Sequence, residues 1–231
     1  MTRGKRMKKN NNTKIIFYFI IYFLLFFVLI YSGIKIYEWY RDKNKNNEIA
    51  KKIKETVIVE SNGKNKEEYL IDFDKLKEQN NEAIAWIKVN NTNIEYPVVK
   101  TKNNEFYLNH SFDKSENLGG WIFADYKNKF NGTDKNIVIY GHNMKDNSMF
   151  GTMQNILNPE WYNNEENTNI ILKTEGKNYI YKVFSIYRIE NEDYYIKTEF
   201  NNDSEFEQFL NTLKARSIRD FNMDMLESDS I

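Results

Sequence analysis

The 231-residue chain contains no cysteine, only two prolines and nine glycines, and only two histidines. The absence of cysteine excludes a disulfide framework, a thiolate zinc site and a thiol nucleophile within these residues. His110 with Asp113 and Glu116 is too sparse a group for a metal site. The formal net charge is zero, with 33 basic and 33 acidic side chains, so no global charge favours nucleic acid. We therefore predict no metal, no cofactor and no nucleic-acid partner.

Although the net charge is zero, the charges are unevenly distributed: the N-terminus is basic and is followed by a long apolar run. Residues 1–14 carry six basic and no acidic side chains, and the uncharged stretch IIFYFIIYFLLFFVLIYSGI extends from Ile15 to Ile34. In a helix with about 1.5 Å rise per residue this stretch spans about 30 Å, the thickness of a bilayer's hydrocarbon core. A cleaved signal peptide is the alternative, but the run exceeds the usual apolar region and no A-x-A-like site follows. We predict one transmembrane helix over 15–34 in the cell membrane, with 1–14 as a cytoplasmic basic tail.

The residues after this apolar run are predicted to lie outside the cell and to form two sections. From 35 to 60 the sequence is charged, free of glycine and proline, and has apolar residues at loosely helical spacing, which predicts a helix or stalk. Residues 61–231 are predicted to form one extracellular domain. Six of the 33 basic residues lie in 1–14, which leaves 27 basic against 33 acidic side chains outside. Such a mildly acidic surface does not attract anionic lipid or wall polymer, so any substrate of that kind has to be recognised locally.

The pattern changes from helix to strand after residue 80. Asp72 to Gln79 predicts a short helix with Asp72 as its N-cap. AWIKVNNTNIEYPVVK, from Ala85 to Lys100, predicts a β-hairpin whose second arm is an edge or bulged strand, because Pro97 cannot donate to a ladder. Further strands are predicted within WIFAD, IVIYGHNM and two later segments, Asn169–Thr174 and Tyr179–Glu190.

Two helices interrupt these predicted strands. One begins near Asn147 and Ser148 and covers MFGTMQNIL. The other starts at Ser204, where Ser204 and Glu207 match the S-x-x-E capping box. Many short strands with few helices predict a mainly β domain, either a barrel or a sandwich, of which the pattern weakly favours the barrel.

His142 is the candidate for proton transfer. It follows the apolar run Ile137–Tyr140 and Gly141, so its side chain emerges at the end of a buried strand, where a rigid sheet can hold an accessible imidazole. Imidazole titrates near neutrality, which suits general acid-base chemistry or pairing with a thiolate. The alternative is a turn histidine that only caps the strand.

The sequence indicates no other nucleophile. Ser111, Ser115 and Ser148 lie neither in a G-x-S-x-G elbow nor in an S-x-x-K setting, and we interpret them as loop and cap residues. A phosphate-cradling glycine-rich loop is also absent from the sequence.

The segment Tyr140–Met144, continued by KDNSMFGTM, resembles the sequence around the catalytic histidine of class B sortases, the membrane-anchored cysteine transpeptidases of Gram-positive cell walls. Other segments occur in the same order as in that family: an anchor followed by a helix, AWIKVNNTNIEYPVVKTKNNEFYLNHSF, GGWIFADY and a late amphipathic helix. The resemblance covers residues 35–231. It implies a closed or nearly closed sortase-type β-barrel with an N-terminal helix and helical insertions.

The resemblance also implies a reaction. In that family a cysteine thiolate attacks the threonine carbonyl of an Asn-Pro-x-Thr-like sorting signal on a secreted protein, and an arginine stabilises the oxyanion or positions the substrate. An amine of the peptidoglycan precursor then releases the thioacyl enzyme as an amide. By position His142 is the proton-transfer residue. Asn109, in YLNH, falls where family members carry polar residues near the site, so it is a candidate substrate-binding residue.

The sequence departs from the family at its C-terminal end. Family members carry the cysteine in a T-L-x-T-C motif just after the segment that matches Asp220–Ile231, and the arginine on the next strand. Neither residue is present, and Arg188, Arg216 and Arg219 match no family arginine. We therefore expect the domain to be C-terminally incomplete through the boundary chosen for the chain, a premature stop or a frameshift, with its last strands missing and the 231-residue chain inactive.

Two alternatives stay open at this point. The first is a non-catalytic, membrane-tethered binding protein that retains the sortase groove. The second is a serine-based hydrolase that uses His142. The coding sequence beyond Ile231 distinguishes the truncated enzyme from both, because it should encode the T-L-x-T-C motif and an arginine.

Overall fold

The computed structural model describes residues 11–60, 69–190 and 192–221. The chain divides into two compact units, residues 1–42 and residues 43–231. The loop predicted around Ser61–Lys64 lies outside the described residues.

The first helix, α1, extends from Asn11 to Val57. Its apolar stretch from Ile15 to Ile34 has exposed side chains, and α1 is the one helix in the described part of the chain that is long and apolar enough to cross a membrane. The helix predicted after Lys35 is present and ends at Val57. In its last turns Ala50, Ile53 and Val57 are buried at helical spacing, so this end of α1 contributes to the core of the second unit.

A small hairpin and a short helix follow. Strand β1 (Ile58–Glu60) pairs antiparallel with β2 (Tyr69–Ile71), and helix α2 comprises Phe73–Gln79. The predicted N-cap is confirmed, because the Asp72 carboxylate accepts the N–H of Lys75 at 3.0 Å.

The main sheet is mixed and has six strands in the described part of the chain. They are β3 (Ala83–Val89), β4 (Glu95–Val99), β5 (Phe123–Ala124), β6 (Ile139–Tyr140), β7 (Asn169–Thr174) and β8 (Asn178–Lys182). The spatial order is β6-β5-β4-β3-β7-β8, in which only the β4–β5 pair is parallel. This sheet forms the half-barrel of a mainly β domain, with β6 and β8 at its edges among the described residues.

The hairpin predicted over Ala85–Lys100 is confirmed as β3 and β4, but the edge position predicted for its second arm is wrong. Strand β4 lies between β3 and β5, and the pairing irregularity falls between Ala83 and Ala85 of β3. Pro97 is tolerated because its carbonyl accepts the indole N–H of Trp121 at 3.0 Å and therefore points away from β3. In an extended strand the amide nitrogen of a residue points to the same side as its carbonyl, so no ladder bond to β3 is lost.

The predicted helix over MFGTMQNIL begins later than expected and is a 3₁₀ helix, Gly151–Leu157, followed by the short α3, Pro159–Tyr162. Asn147 and Met149 have φ angles of 66° and 50°, which an α-helix cannot contain, so the helix cannot start before them. The strand predicted over Tyr179–Glu190 is shorter than expected and ends with β8 at Lys182.

The last described helix is α4, Asp203–Ala215. The capping box predicted at Ser204 and Glu207 is wrong, because Asn202 is the N-cap and accepts the N–H of Glu205 at 2.9 Å. The Glu205 carboxylate in turn accepts the N–H of Asn201 at 2.6 Å. Asn and Ser are both favourable N-cap residues. Asn202 precedes Ser204 and accepts from the first turn, so the helix begins two residues earlier than predicted.

Candidate functional site

His142 lies two residues beyond the end of β6. Strand β6 pairs with β5, with Tyr140 opposite Phe123, and Gly141 lies between the strand and the histidine. A Cβ at Gly141 would lie 2.4 Å from Cδ1 of Ile122 and 2.8 Å from the Phe150 ring. Any larger residue would have to displace the Ile122 or Phe150 side chain, so only glycine fits at this position. This close packing next to His142 fixes the position of the histidine backbone.

The imidazole of His142 is partly exposed and contacts one main-chain carbonyl. Its Nε2 lies 2.8 Å from the carbonyl oxygen of Leu108. Because a carbonyl only accepts hydrogen bonds, Nε2 must carry the proton in this contact. In the neutral ring Nδ1 then holds the lone pair, so Nδ1 is the nitrogen that can accept a proton.

The segment that presents Leu108 depends on Gly120. Residues Phe106–Leu108 form a 3₁₀ turn, and the N–H of Trp121 donates to the Tyr107 carbonyl at 2.9 Å. Gly120 has φ of 54°, and a Cβ there would lie 2.4 Å from the Tyr107 oxygen and 2.7 Å from the Leu108 oxygen. Glycine therefore allows the two chain segments to approach closely enough for the Leu108 carbonyl to reach His142.

The loop after His142 is closed by main-chain and carboxylate contacts. The His142 carbonyl accepts the N–H of Met144 at 3.1 Å and of Phe150 at 3.0 Å. The Asp146 carboxylate accepts the N–H and hydroxyl of Ser148 at 3.0 and 2.6 Å, and Lys43 Nζ lies 3.6 Å away. Burial alone would raise the pKa of Asp146, but the contacts with Ser148 and Lys43 outweigh it and lower that pKa.

A buried carboxylate connects β6 to the segment that carries Leu108. Asp125 is 2% exposed, and its Oδ2 accepts from the Tyr140 hydroxyl and from Nδ2 of Asn104, both at 2.8 Å. Burial raises the pKa of Tyr140, and the hydrogen bond to Asp125 raises it further, so the hydroxyl keeps its proton. Asp125 therefore joins the strand before His142 to the loop before Leu108.

The predicted substrate-binding residue Asn109 lies next to this contact. It is exposed and directly follows Leu108, while its Oδ1 lies 2.8 Å from Nδ1 of His110. His110 also contacts the Phe106 carbonyl at 2.8 Å and stacks on the Phe106 ring with centroids 4.0 Å apart. The structure thus places Asn109 one residue from the carbonyl that contacts His142, while the Asn109 side chain bonds to His110.

The three serines make loop and cap contacts. The hydroxyls of Ser111, Ser115 and Ser148 donate to Asn46, Asp113 and Asp146, respectively. Each is bonded to an amide or a carboxylate rather than to a histidine in these contacts. Within the described residues no group of three or more His, Cys, Asp or Glu side chains is arranged to hold a metal ion.

Sequence reasoning missed three groups around His142: the Leu108 carbonyl, the Asp125 carboxylate and the Tyr140 hydroxyl. A main-chain carbonyl leaves no mark on residue type, so the first could not be found in this way. The second glycine of GGWIFADY marks the close approach to Leu108, but a glycine in the sequence does not show which carbonyl it approaches. An aspartate directly after the apolar strand WIFA was the available signal for Asp125.

Comparison with known proteins decides the family of this chain. A sortase domain is recognised over residues 87–213. Sortase B of Staphylococcus aureus is 31% identical over 205 residues, which cover 88% of this chain and 82% of the relative. The chain belongs to the sortase family. Both Asn109 and His142 lie within the recognised domain, and the relatives place the chain in class B.

Solved structures of sortases agree with this assignment. A Bacillus anthracis protein similar to sortase B has a TM-score of 0.69 at 28% identity, with 78% of this chain and 85% of that chain covered. The S. aureus sortase B–substrate complex has a TM-score of 0.62 at 33% identity, with coverages of 66% and 69%. Sortases of this class are cysteine transpeptidases, whereas the 231 residues of this chain contain no cysteine.

Proposed function

We propose that this class B sortase cleaves a sorting signal on secreted proteins at a threonine carbonyl and joins it to a peptidoglycan amine, with His142 as the proton-transfer residue. The observation that supports the proposal is the geometry of His142. The ring is fixed at the end of β6, its Nε2 contacts the Leu108 carbonyl at 2.8 Å, and Nδ1 is left for proton transfer.

The reaction has two acyl-transfer steps. A cysteine thiolate attacks the threonine carbonyl, the C–N bond breaks, and the leaving amine takes a proton from the imidazolium of His142. The incoming amine then attacks the thioester, loses its proton to His142, and releases the thiolate as the amide forms. The transferred proton is carried on Nδ1 in both steps, because Nε2 keeps its own proton and donates it in the hydrogen bond to the Leu108 carbonyl.

The cysteine and the oxyanion-stabilising arginine of this reaction are not present in the 231 residues. We therefore propose that a polypeptide with only these residues performs neither step, since loss of the nucleophile from such a unit removes nearly all catalysis.

Relatives indicate the kinds of partner. S. aureus sortase B has been solved with a substrate, and a sortase B has been solved with triglycine. We infer that this protein takes a sorting-signal peptide and an amine of the same kinds, and that the exposed Asn109 contacts the peptide. The apolar helix over 15–34 would hold the protein in the cell membrane, with 1–14 in the cytoplasm and the sortase domain outside.

The experiment that tests this proposal supplies a cysteine and an arginine from a relative. The 231-residue chain is fused to the cysteine- and arginine-bearing strands of S. aureus sortase B and incubated with an Asn-Pro-x-Thr peptide and triglycine. We expect no transpeptidation by the chain alone, transpeptidation by the fusion, and its loss in the fusion with His142→Ala. His110→Ala is the matched control, and activity that survives His142→Ala would contradict the proposal.

A binding function without chemistry is the second candidate, and two observations support it. The sequence has no cysteine, and an apolar cavity of 460 Å³ opens between the sheet and α4, lined by residues such as Ile87, Ile139, Phe206 and Leu210. If this candidate is right, the unfused chain binds a sorting-signal peptide in titration calorimetry, and the fusion gains no activity.

A further inference from the structure

One turn of α1, Lys43–Asn46, contacts both loops that surround His142. Lys43 faces Asp146 in the loop after the histidine, and Asn46 bonds to Ser111 and Gly120 in the loop that follows Leu108. These contacts lie within the second compact unit. Asn46 is a polar side chain with only 4% exposure, and nothing in the reaction itself accounts for it.

The side-chain amide of Asn46 has three hydrogen-bond partners. Its Nδ2 donates to the Gly120 carbonyl at 3.1 Å and to Oδ1 of Asn117 at 3.2 Å. Its Oδ1 accepts the hydroxyl of Ser111 at 2.5 Å. The contact with the Gly120 carbonyl, which can only accept, fixes which end of the amide is nitrogen. Both Nδ2 protons and one Oδ1 lone pair are thus used in a buried setting.

These partners all follow Leu108 in the sequence, at 111, 117 and 120, and the chain returns to Leu108 at Gly120. Ser111 follows the 3₁₀ turn that carries Leu108, and Gly120 is the residue whose missing Cβ lets the Leu108 carbonyl approach. The N–H of Asn117 also donates to the Asn109 carbonyl at 2.8 Å, which closes the loop. A shift of the Asn46 amide therefore moves the backbone that carries the Leu108 carbonyl.

We propose that Asn46 is a positioning residue for His142: it holds the loop 107–120 so that the Leu108 carbonyl meets Nε2 of the imidazole. The significance of this contact for transpeptidation rests on the proposed function of His142. The contact itself can be measured without turnover, so a failure of this proposal is distinguishable from a failure of the proposed function.

The test uses Asn46→Asp in the full chain, which keeps the shape of the side chain but replaces the Nδ2 donor with an oxygen that faces the Gly120 carbonyl. Asn47→Asp is the matched control, since Asn47 is the next residue of the same helix, is exposed, and undergoes the same charge change. Both are compared with the wild type in detergent micelles, with ¹⁵N only in histidine. With two histidines in the chain, two sets of ring signals are expected.

The readouts are the exchange rate of the His142 Nε2 proton with water and the cross-relaxation of the ring with the Leu108–Asn109 backbone. We expect Asn46→Asp to accelerate exchange by about tenfold, the factor that corresponds to one lost hydrogen bond, and to weaken the cross-relaxation. Asn47→Asp should leave both unchanged. Unchanged His142 signals in a folded Asn46→Asp protein would overturn the proposal and leave Asn46 with a role in stability alone.

Ser111→Ala is the gentler variant, because it removes one of the three Asn46 partners and leaves the bond to Gly120. We expect a smaller change of both readouts in the same direction. If Asn46→Asp does not fold, Ser111→Ala decides the matter, and wild-type His142 signals in that variant would refute the positioning role.

Discussion

His110 and His142 are held in different ways although both lie near Leu108. His110 is held by its own loop, through Phe106 and Asn109, all within four residues of chain. His142 is held by a carbonyl 34 residues away. A local arrangement moves with its loop, whereas an arrangement between distant segments changes when either segment moves. The histidine proposed for proton transfer is therefore the one that depends on the rest of the domain.

Gly120→Ala should have the largest effect on the difference between the two histidines. The new Cβ would clash with the Tyr107 and Leu108 carbonyls at a backbone φ of 54°, so we expect the free energy of unfolding to fall by about 3 kcal/mol. The His142 ring should lose its contact with Leu108, while the His110 contacts move with the loop. Denaturant unfolding and histidine NMR measure these effects. Gly132→Ala is the control for φ alone, because Gly132 has φ of 86° and no atom within 4 Å of a Cβ; an equal loss in both variants would refute the steric explanation.

Asp146→Asn extends the comparison to the carboxylates in the loops that follow His142 and His110. Asp146, beside His142, has a side chain 5% exposed, whereas Asp113, beside His110, is 45% exposed. We expect Asp146→Asn to lower the free energy of unfolding by about 2 kcal/mol, because charge-assisted hydrogen bonds from Ser148 are weakened. Asp113→Asn should cost about 0.5 kcal/mol, since solvent screens an exposed pair. Similar losses in urea unfolding would contradict this difference.

Acid should remove the Asp146 contribution progressively. The pKa of this carboxyl is lowered from its usual value of 3.8, so the folded state favours the ionised form. The contribution is complete above the unfolded pKa and is lost as the pH falls through the lower folded pKa. Unfolding free energies measured from pH 6 downward should therefore converge for wild type and Asp146→Asn. A constant difference down to the acid limit would contradict the assignment.

Tyr140→Phe should have a smaller effect than these. It removes one of the hydrogen bonds to buried Asp125 but keeps the ring, so we expect a loss of about 1 kcal/mol in thermal unfolding. Tyr126→Phe, at an exposed ring, is a suitable control and should be neutral. A neutral Tyr140→Phe would mean that Asp125 needs only Asn104 to join the two segments.

His110→Gln should have the smallest effect. It removes a stacked ring from a partly exposed loop, for which we expect less than about 1 kcal/mol of lost stability. Because the contacts of His110 are local, the ring signals of His142 should stay at their wild-type positions. A shift of the His142 signals would show that the two histidines are coupled through the loop.

Local signals in the sequence predicted the local structure well. Asp72 is the N-cap it was expected to be, and the period-two pattern over Ala85–Lys100 predicted the β3–β4 hairpin. The start of α4 was displaced by two residues, because Asn202 and Ser204 carry the same capping signal. Such signals depend only on neighbouring residues, so they can be identified in the sequence before the fold is known.

Contacts between segments that are distant in the sequence were harder to predict. The central position of β4 depends on where the Pro97 carbonyl points, and this is set by Trp121, which comes 24 residues later. His142 was recognised from its strand and its motif, but the groups that hold it come from other segments. One of them is a main-chain carbonyl, which every residue possesses, so composition and spacing could not identify it.

The one parallel pair among the described strands, β4 with β5, constrains where such a site can develop. Parallel neighbours cannot be joined by a tight turn, so the chain between Val99 and Phe123 has to cross back over the length of a strand. That crossover is the segment that carries Leu108 and Asn109. Exposed side chains of the crossover, such as Asn109, can therefore vary while its backbone still presents the Leu108 carbonyl to His142, which lets specificity evolve while the residue proposed for proton transfer stays in place.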